Sequence, residues 1–326
     1  MIIVKAPFRL SLFGGSTDYE SFYKEHGSLL IGTTIDKYIY TSFRFRPSIV
    51  SDMSVISYSK QEVVSDIKDI KHPLIREILK RYSGPDQTSV DIHMFSDIPS
   101  RTGLGGSSTF CVSILYALWK EYRLNINKKK IATEAICIER EILKEPGGIQ
   151  DQIWASYGGL NSIEITTNGE FFVRPLPVSY EFKKLFEDSL ILVYTNDQRT
   201  DSGEIAKSHD NKDKTKILEL SKTAYNSFLK EDLKEIGTLL LESWKEKQKI
   251  SSLISNNKIN EIAEKLLTIG AYGVKLLGSG GCGFVLGICD PKVKEKAKEI
   301  FNKNVLDVKL EFNGVTHVYF EPTLNL

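Results

Sequence analysis

Two hydrophobic periods alternate along the chain. Residues 2–6 are an apolar run ending before Pro7, and 38–46 (YIYTSFRFR) alternate aromatic and polar positions, as a half-buried strand does. Residues 89–95 (SVDIHMF) alternate again, with Val90, Ile92 and Met94 on one face. After a Gly-rich loop at 103–106, SSTFCVSILYALWKEY predicts an amphipathic helix, and 128–143 predicts a second. GGLNSIEI and EFFVRPL predict a strand pair about the turn Thr167-Asn168-Gly169. Two prolines and polar residues in 175–184 mark a boundary, which divides the chain into domains 1–184 and 185–326. Beyond it, 189–195 (SLILVYT) predicts a strand. Helical periodicity follows over 203–229, 231–249 and 257–269, with strands at 273–277, 283–288 and 307–312. Helix pairs mixed with antiparallel-looking strands predict the α+β class.

Composition adds exclusions. The 326 residues are 41% hydrophobic and 26% charged, ordinary values that leave room for a sizeable core. Lys and Arg total 43 against 42 Asp and Glu, a net charge of +1, which argues against nucleic-acid binding but permits a local cationic pocket. Cys111, Cys137, Cys282 and Cys289 are too sparse for a disulfide scaffold, and the five histidines lack ligand spacing, so no zinc site is expected. The opening MIIVKAPFRL is too short for a signal peptide, and no stretch approaches the ~20 apolar residues of a membrane span. A cytoplasmic protein without a membrane partner is the expectation. The Lys-rich 211–216 segment reads as a solvated helix start or loop.

Two Gly-rich segments could cradle phosphate, although no G-x-x-x-x-G-K-[ST] occurs. GSGGCG at 278–283 matches G-x-G-x-x-G, but the strand-like FVLGIC follows where a dinucleotide site needs a helix. It reads as a Gly-dense strand–turn–strand, a structural turn or a site. PSRTGLGGSSTF at 99–110 is more informative, because its glycines lead into a helix whose unpaired amides favour an anion. Ser107 and Ser108 could donate to phosphate, ligate a hard cation, or simply cap the helix. On the helix 128–143, steps of three and four place Glu139 in a row with Ala132, Ala135 and Ile142, where a carboxylate is costly unless partnered. Glu134 and Glu141 occupy a row that can face water. Asp151, in EPGGIQDQ, reads by itself as a helix cap. At the N-terminus, APFRLSLFGGSTDY gathers Arg9, Gly14, Gly15, Ser16, Thr17 and Asp18, which suit either a polyhydroxy ligand or a tight turn.

In order and spacing, KAPFRLSLFGGSTDY, PSRTGLGGSST and KLLGSGGCGFVL resemble the three motifs of the GHMP kinase superfamily, and GGIQDQ resembles the Asp-bearing segment of its galactokinase-like members. The resemblance covers essentially the whole chain. It implies an N-terminal domain like ribosomal protein S5 domain 2, a ferredoxin-like C-terminal domain, and ATP with Mg²⁺ as cofactors. Residue by residue, it implies Asp151 as catalytic base and Arg9 as the cation that steadies it. Gly103, Leu104, Gly105, Gly106, Ser107, Ser108 and Thr109 would wrap the ATP phosphates, with Ser107 and Glu139 as metal ligands. Gly14, Gly15, Ser16, Thr17 and Asp18, with Gly280 and Gly281, would hold the substrate, and the Gly278–Gly283 turn would close the site from the second domain. Departures are GLGG where galactokinases carry serines, Arg101 where many members carry glycine, and Ser279 where alanine is common. APFRLSLFGGSTDY followed by IDKYIY most resembles the heptose kinase branch, which phosphorylates the anomeric hydroxyl of D-glycero-D-manno-heptose 7-phosphate, with fucokinase close by the same features. A sugar phosphate and ATP are therefore the expected partners, with Arg101 and Arg199 as candidates for the substrate phosphate. A homodimer is an expectation that nothing in the sequence tests.

Overall fold

The computed structural model describes residues 1–46, 49, 52–82, 89–196, 202–210 and 212–323. Along the chain run β1 (Ile2–Phe13), α1 (Glu20–His26), β2 (Ser28–Phe45), β3 (Ser54–Ser57), β4 (Gln61–Val64), α2 (Pro73–Tyr82) and β5 (Val90–Ser96). Next come α3 (Gly106–Glu121), α4 (Lys128–Ile136), α5 (Gln150–Tyr157), β6 (Asn161–Ile165), β7 (Phe171–Pro175) and α6 (Tyr180–Ser189). The second half holds β8 (Leu190–Tyr194), α7 (Ser202–Lys207), α8 (Thr215–Leu229), α9 (Leu233–Gln248) and α10 (Asn257–Thr268). It ends with β9 (Gly273–Leu276), β10 (Phe284–Ile288), α11 (Pro291–Phe301), β11 (Val305–Leu306), β12 (Leu310–Glu311) and β13 (Thr316–Phe320).

The larger sheet follows the order β13-β1-β2-β5-β3-β4, with β12 and β6 also pairing to β2 and β7 pairing to β6. Its first strand is far longer than the apolar run 2–6. Pro7 does not end it, because the register with β2 shifts between Pro7 and Arg9, and an irregularity of that kind is where a sheet tolerates proline. From Ala6 onward every residue of β1 is buried, so no alternation of buried and exposed positions marks the strand. The helix after the Gly-rich loop also differs from its amphipathic expectation. Packed against β1, β2, α2, α4 and α5, α3 buries nearly every side chain from Ser108 to Trp119.

The smaller sheet, β11-β8-β10-β9, is antiparallel throughout. Its path of strand, helices, two strands, helix and strand gives the 4-1-3-2 order of a ferredoxin-like domain. The helix expected over 203–229 is two helices, broken between Lys207 and Thr215. The strand expected over 307–312 shrinks to β12, and α11 and β13 arise where no element was expected. After the second sheet the chain returns, and β12 and β13 complete the first sheet against β2 and β1. The 184/185 division falls inside α6.

Candidate active site

The first sheet carries Arg9 into the middle of the molecule, and α5 brings Asp151 to meet it. Arg9 Nε donates to Asp151 Oδ1 at 2.8 Å and Nη2 donates to Oδ2 at 3.0 Å, a two-point clamp. Its Nη1 donates to the Gly103 carbonyl at 2.6 Å, so one guanidinium ties the carboxylate to the Gly-rich loop 103–106. The Arg9 side chain is 6% exposed and that of Asp151 22%, so the carboxylate is the partner that faces outward. Asp151 is not the cap of its helix. That work is done from a distance by Asp18, whose Oδ2 accepts from the Gln150 amide at 3.1 Å. The cap reading therefore moves from Asp151 to Asp18, and Asp151 is left for Arg9.

Asp18 itself is buried. Its Oδ1 accepts from the Ser16 amide at 3.1 Å and from Gln150 Nε2 at 3.0 Å, so three of its roughly four acceptor positions are used. Burial, and then the charge of Asp151, raise its pKa. Gly148 is the close approach that permits this packing, since a Cβ there would stand 1.9 Å from Asp18 Oδ2. Thr17 closes the turn, its amide and hydroxyl both donating to the Gly14 carbonyl at 2.9 and 2.7 Å. The buried Ser11 Oγ, beside Gly15, and the buried Gln150 Oε1 have no hydrogen-bond partner among the described residues. Unpartnered polar atoms lining a turn of small residues suit a ligand rich in hydroxyls.

Glu139 is 1% exposed, as its apolar row implied, although the row itself is broken. A π-helical turn over Cys137–Ile142 shifts the phase, so Ile142 is exposed while Ile138 and Glu139 are buried. Glu139 Oε1 accepts from Ser107 Oγ at 3.2 Å and Oε2 from Gln152 Nε2 at 2.5 Å. Burial still raises its pKa. Glu134 is half-buried in an ion pair with Arg81, and Glu141 is exposed. A hydroxyl and a carboxylate are hard oxygen donors that suit Mg²⁺. No cluster of three or more His, Cys, Asp or Glu able to hold a metal exists among the described residues, so the pair would need nucleotide phosphates to complete the shell.

The Gly-rich loop 103–106 meets the third motif backbone to backbone. Gly103 (φ +78°) and Gly105 (φ +81°) take left-handed conformations, and Gly105 is the residue from which α3 starts. A Cβ on Gly103 would lie 2.4 Å from the Leu277 carbonyl oxygen, and one on Gly278 would lie 2.4 Å from the Gly103 Cα. Gly283 likewise abuts Thr102. Gly280 and Gly281 turn away from this contact and pack against Ile254, Ile205 and Leu253. Within the 278–283 turn, Gly278 and Gly283 make the backbone contacts with residues 102–103. Arg101 is exposed and its carbonyl accepts from Cys282 Sγ at 3.5 Å. Arg199 lies outside the described residues.

Three buried cations escaped sequence reading. Lys275 Nζ crosses from β9 to the Ser11 and Leu12 carbonyls at 3.2 and 2.6 Å, which holds the second domain to the end of β1. Lys247 donates to the Gly278 carbonyl. Lys214, expected to be solvated, is 1% exposed over the Tyr19 and Phe22 rings, at 4.9 and 5.7 Å. His209 has no ligand spacing in the sequence, yet it touches both the first and the third motif. A polar SHDN break inside a helical pattern was the one available signal.

Comparison with known proteins places the chain among kinases. The profile of the GHMP kinases N terminal domain matches residues 70–159, and that of the GHMP kinases C terminal domain matches 224–306. A D-glycero-alpha-D-manno-heptose 7-phosphate kinase from Campylobacter jejuni is 29% identical over 90% of this chain and 91% of its own length. A galactokinase from Pyrococcus furiosus is 24% identical over 92% and 91%. The crystal structure of a D-glycero-D-manno-heptose 1-phosphate kinase from Bacteriodes thetaiotaomicron superposes with a TM-score of 0.80 at 24% identity, covering 98% of this chain and all of that one. No helix among the described residues is long and apolar enough to cross a membrane.

Proposed function

The chain belongs to the GHMP kinase superfamily, and from that premise we propose that it transfers the γ-phosphoryl group of Mg·ATP to the anomeric hydroxyl of D-glycero-D-manno-heptose 7-phosphate, giving the 1,7-bisphosphate. The observation that carries the reading is the Arg9–Asp151 clamp set directly on the phosphate loop through the Gly103 carbonyl. The choice of acceptor is supported by likeness to heptose phosphate kinases over nearly the whole chain and by the unpartnered polar atoms beside Gly15.

Phosphoryl transfer is mostly positioning and charge neutralisation. The amides at the start of α3 would face the phosphates, and the left-handed glycines would let the backbone come close to them. Ser107 and Glu139 would hold Mg²⁺, which when bound supplies charge neutralisation on the phosphate oxygens. Each Asp151 oxygen keeps a lone pair beyond its bond to Arg9, so the carboxylate can orient the anomeric hydroxyl and accept its proton. Arg9 holds that carboxylate in one orientation and offsets its charge. The turn 14–18 and Gln150 would hold the remaining hydroxyls.

The test is Mg·ATP-dependent ADP release against D-glycero-D-manno-heptose 7-phosphate, mannose 6-phosphate, fucose, galactose and mevalonate. Turnover on the heptose phosphate alone, with phosphorus NMR placing the new phosphate on C1, is the expected result. Preference for an unphosphorylated sugar would overturn the acceptor assignment while keeping the kinase.

A further inference from the structure

His209 lies between α7 and α8, 1% exposed, and its two ring nitrogens reach two different motifs. Nδ1 is 2.9 Å from Ser16 Oγ in the acceptor turn, and Nε2 is 3.0 Å from the Ser279 carbonyl oxygen in the third motif. A carbonyl can only accept, so Nε2 carries the proton, Nδ1 is the acceptor, and the Ser16 hydroxyl must donate to it. That assignment turns the lone pairs of Ser16 Oγ away from the imidazole, where a substrate hydroxyl can donate to them. Burial and the nearby Lys247 push the His209 pKa down to about 3, so the neutral form persists at working pH. Tyr19, the residue after Asp18, stacks on the imidazole at 5.8 Å and 19°.

Ser16 needs such support. Its φ of +82° is a left-handed conformation that a non-glycine residue keeps only when its surroundings over-determine it. On the other side, Ser279 adjoins Gly278, which touches the Gly103 backbone of the phosphate loop. Acceptor turn, imidazole, third motif and phosphate loop therefore form one contiguous path.

We propose that His209 is a positioning residue that fixes the acceptor-binding turn through Ser16 and ties it, through Ser279, to the loop that holds the nucleotide. The proposal rests on the kinase reading above and deepens it. Two substitutions separate the two contacts. His209→Gln can still donate to Ser279 but cannot reach Ser16, whereas His209→Asn can still accept from Ser16 but loses Ser279. With the best acceptor of the wild-type panel, H209Q is expected to raise the acceptor KM about tenfold, the equivalent of ~1.4 kcal/mol, and to leave the ATP KM within about twofold. Ser16→Ala should reproduce that split and add little in the H209Q background. H209N should keep the acceptor KM near wild type. Equal changes in both KM values for H209Q and H209N, or additive effects of S16A and H209Q, would overturn the proposal. If the wild type turns over no acceptor, the kinase reading fails by itself, and amide hydrogen exchange then decides the His209 assignment. H209Q should speed exchange at residues 14–18, H209N at 278–283, and identical exchange maps would refute the tie.

Discussion

Replacing Asp151 with asparagine isolates the proton-accepting role from the rest of the site. Asn has nearly the same shape, keeps one acceptor for Arg9, and turns the other oxygen into an amide that faces a guanidinium donor. Of the two bonds at 2.8 and 3.0 Å, one is lost. A hydrogen bond to a charged group contributes ~1.5–3 kcal/mol, and the 22% exposure of the Asp151 side chain lets water recover part of it. The stability loss should therefore stay below ~3 kcal/mol, with the protein folded at assay temperature. A positioned general base contributes about 10²–10⁴ in rate, so kcat at saturating ATP and acceptor should fall by that factor. ATP affinity should change little, because Arg9 still holds the Gly103 carbonyl. Arg9→Met should lower kcat as well, and the double variant should be no worse than the weaker single one, as for groups acting as a unit. The assay is coupled ADP release, with calorimetry on each variant to confirm folding. A kcat loss under tenfold in folded D151N would refute proton acceptance by Asp151, and full additivity with R9M would refute the shared role.

Other outcomes follow from the same geometry. Glu139→Gln should raise Tm at pH 7, since burial lifts the native carboxyl's pKa above the unfolded value and the charged form is the disfavoured one; kcat should nevertheless fall and the Mg²⁺ requirement rise. A lower Tm together with unchanged kcat would contradict this. Gly103→Ala places a Cβ 2.4 Å from the Leu277 carbonyl oxygen in a left-handed backbone, so nucleotide affinity should drop at least tenfold; isothermal titration with an ATP analogue measures it, and an unchanged Kd would mean that the two loops move apart freely. For His209, the unfolded state binds the extra proton between pH ~6.5 and the native pKa of about 3. Stability therefore falls with acidification through that window at up to about 1.4 kcal/mol per pH unit, and is flat above it. H209N lacks this contribution, so urea titrations of the wild type and H209N should differ in slope below pH 6.5 and run parallel above; parallel curves throughout would show that the imidazole is protonated in the native state.

Elements that a local period encodes were legible, and those that depend on partners far along the chain were not. The helices at 231–249 and 257–269 carry their period on exposed and buried faces, and they and the strand at 89–95 stand within a few residues of their expected places. β1 outruns its expected end because strands on either side and helix α3 cover it, which removes the alternation that would have revealed it. β12 and β13 are specified by edges that β2 and β1 present some 300 residues earlier, a constraint no window contains. The helix expected over 203–229 failed for a related reason. Its period is real on both sides of residue 210, but His209 and Lys214 are spent on Ser16, Ser279, Tyr19 and Phe22, and those contacts need the chain to break there.

The candidate site repeats this division. Its Gly-rich loops and the lone carboxylate on an apolar row could be read from spacing, because backbone freedom and burial leave a local trace. Its couplings could not. Asp18 caps a helix that begins at Gln150, Arg9 reaches Asp151, and Lys275 reaches Ser11 and Leu12 across the domain contact. Each of these joins a polar group to one that is more than 130 residues distant. The Lys275 bonds lie where the two sheets' domains meet, and left-handed glycines let the backbones of loops 103–106 and 278–283 touch across the same contact. A site assembled in this way is sensitive to the relative placement of its loops, to which residues such as His209 and Lys275 contribute without reacting. Variants at those two positions should therefore alter catalysis through the loops they join, and the split between acceptor KM and ATP KM is where that effect is read.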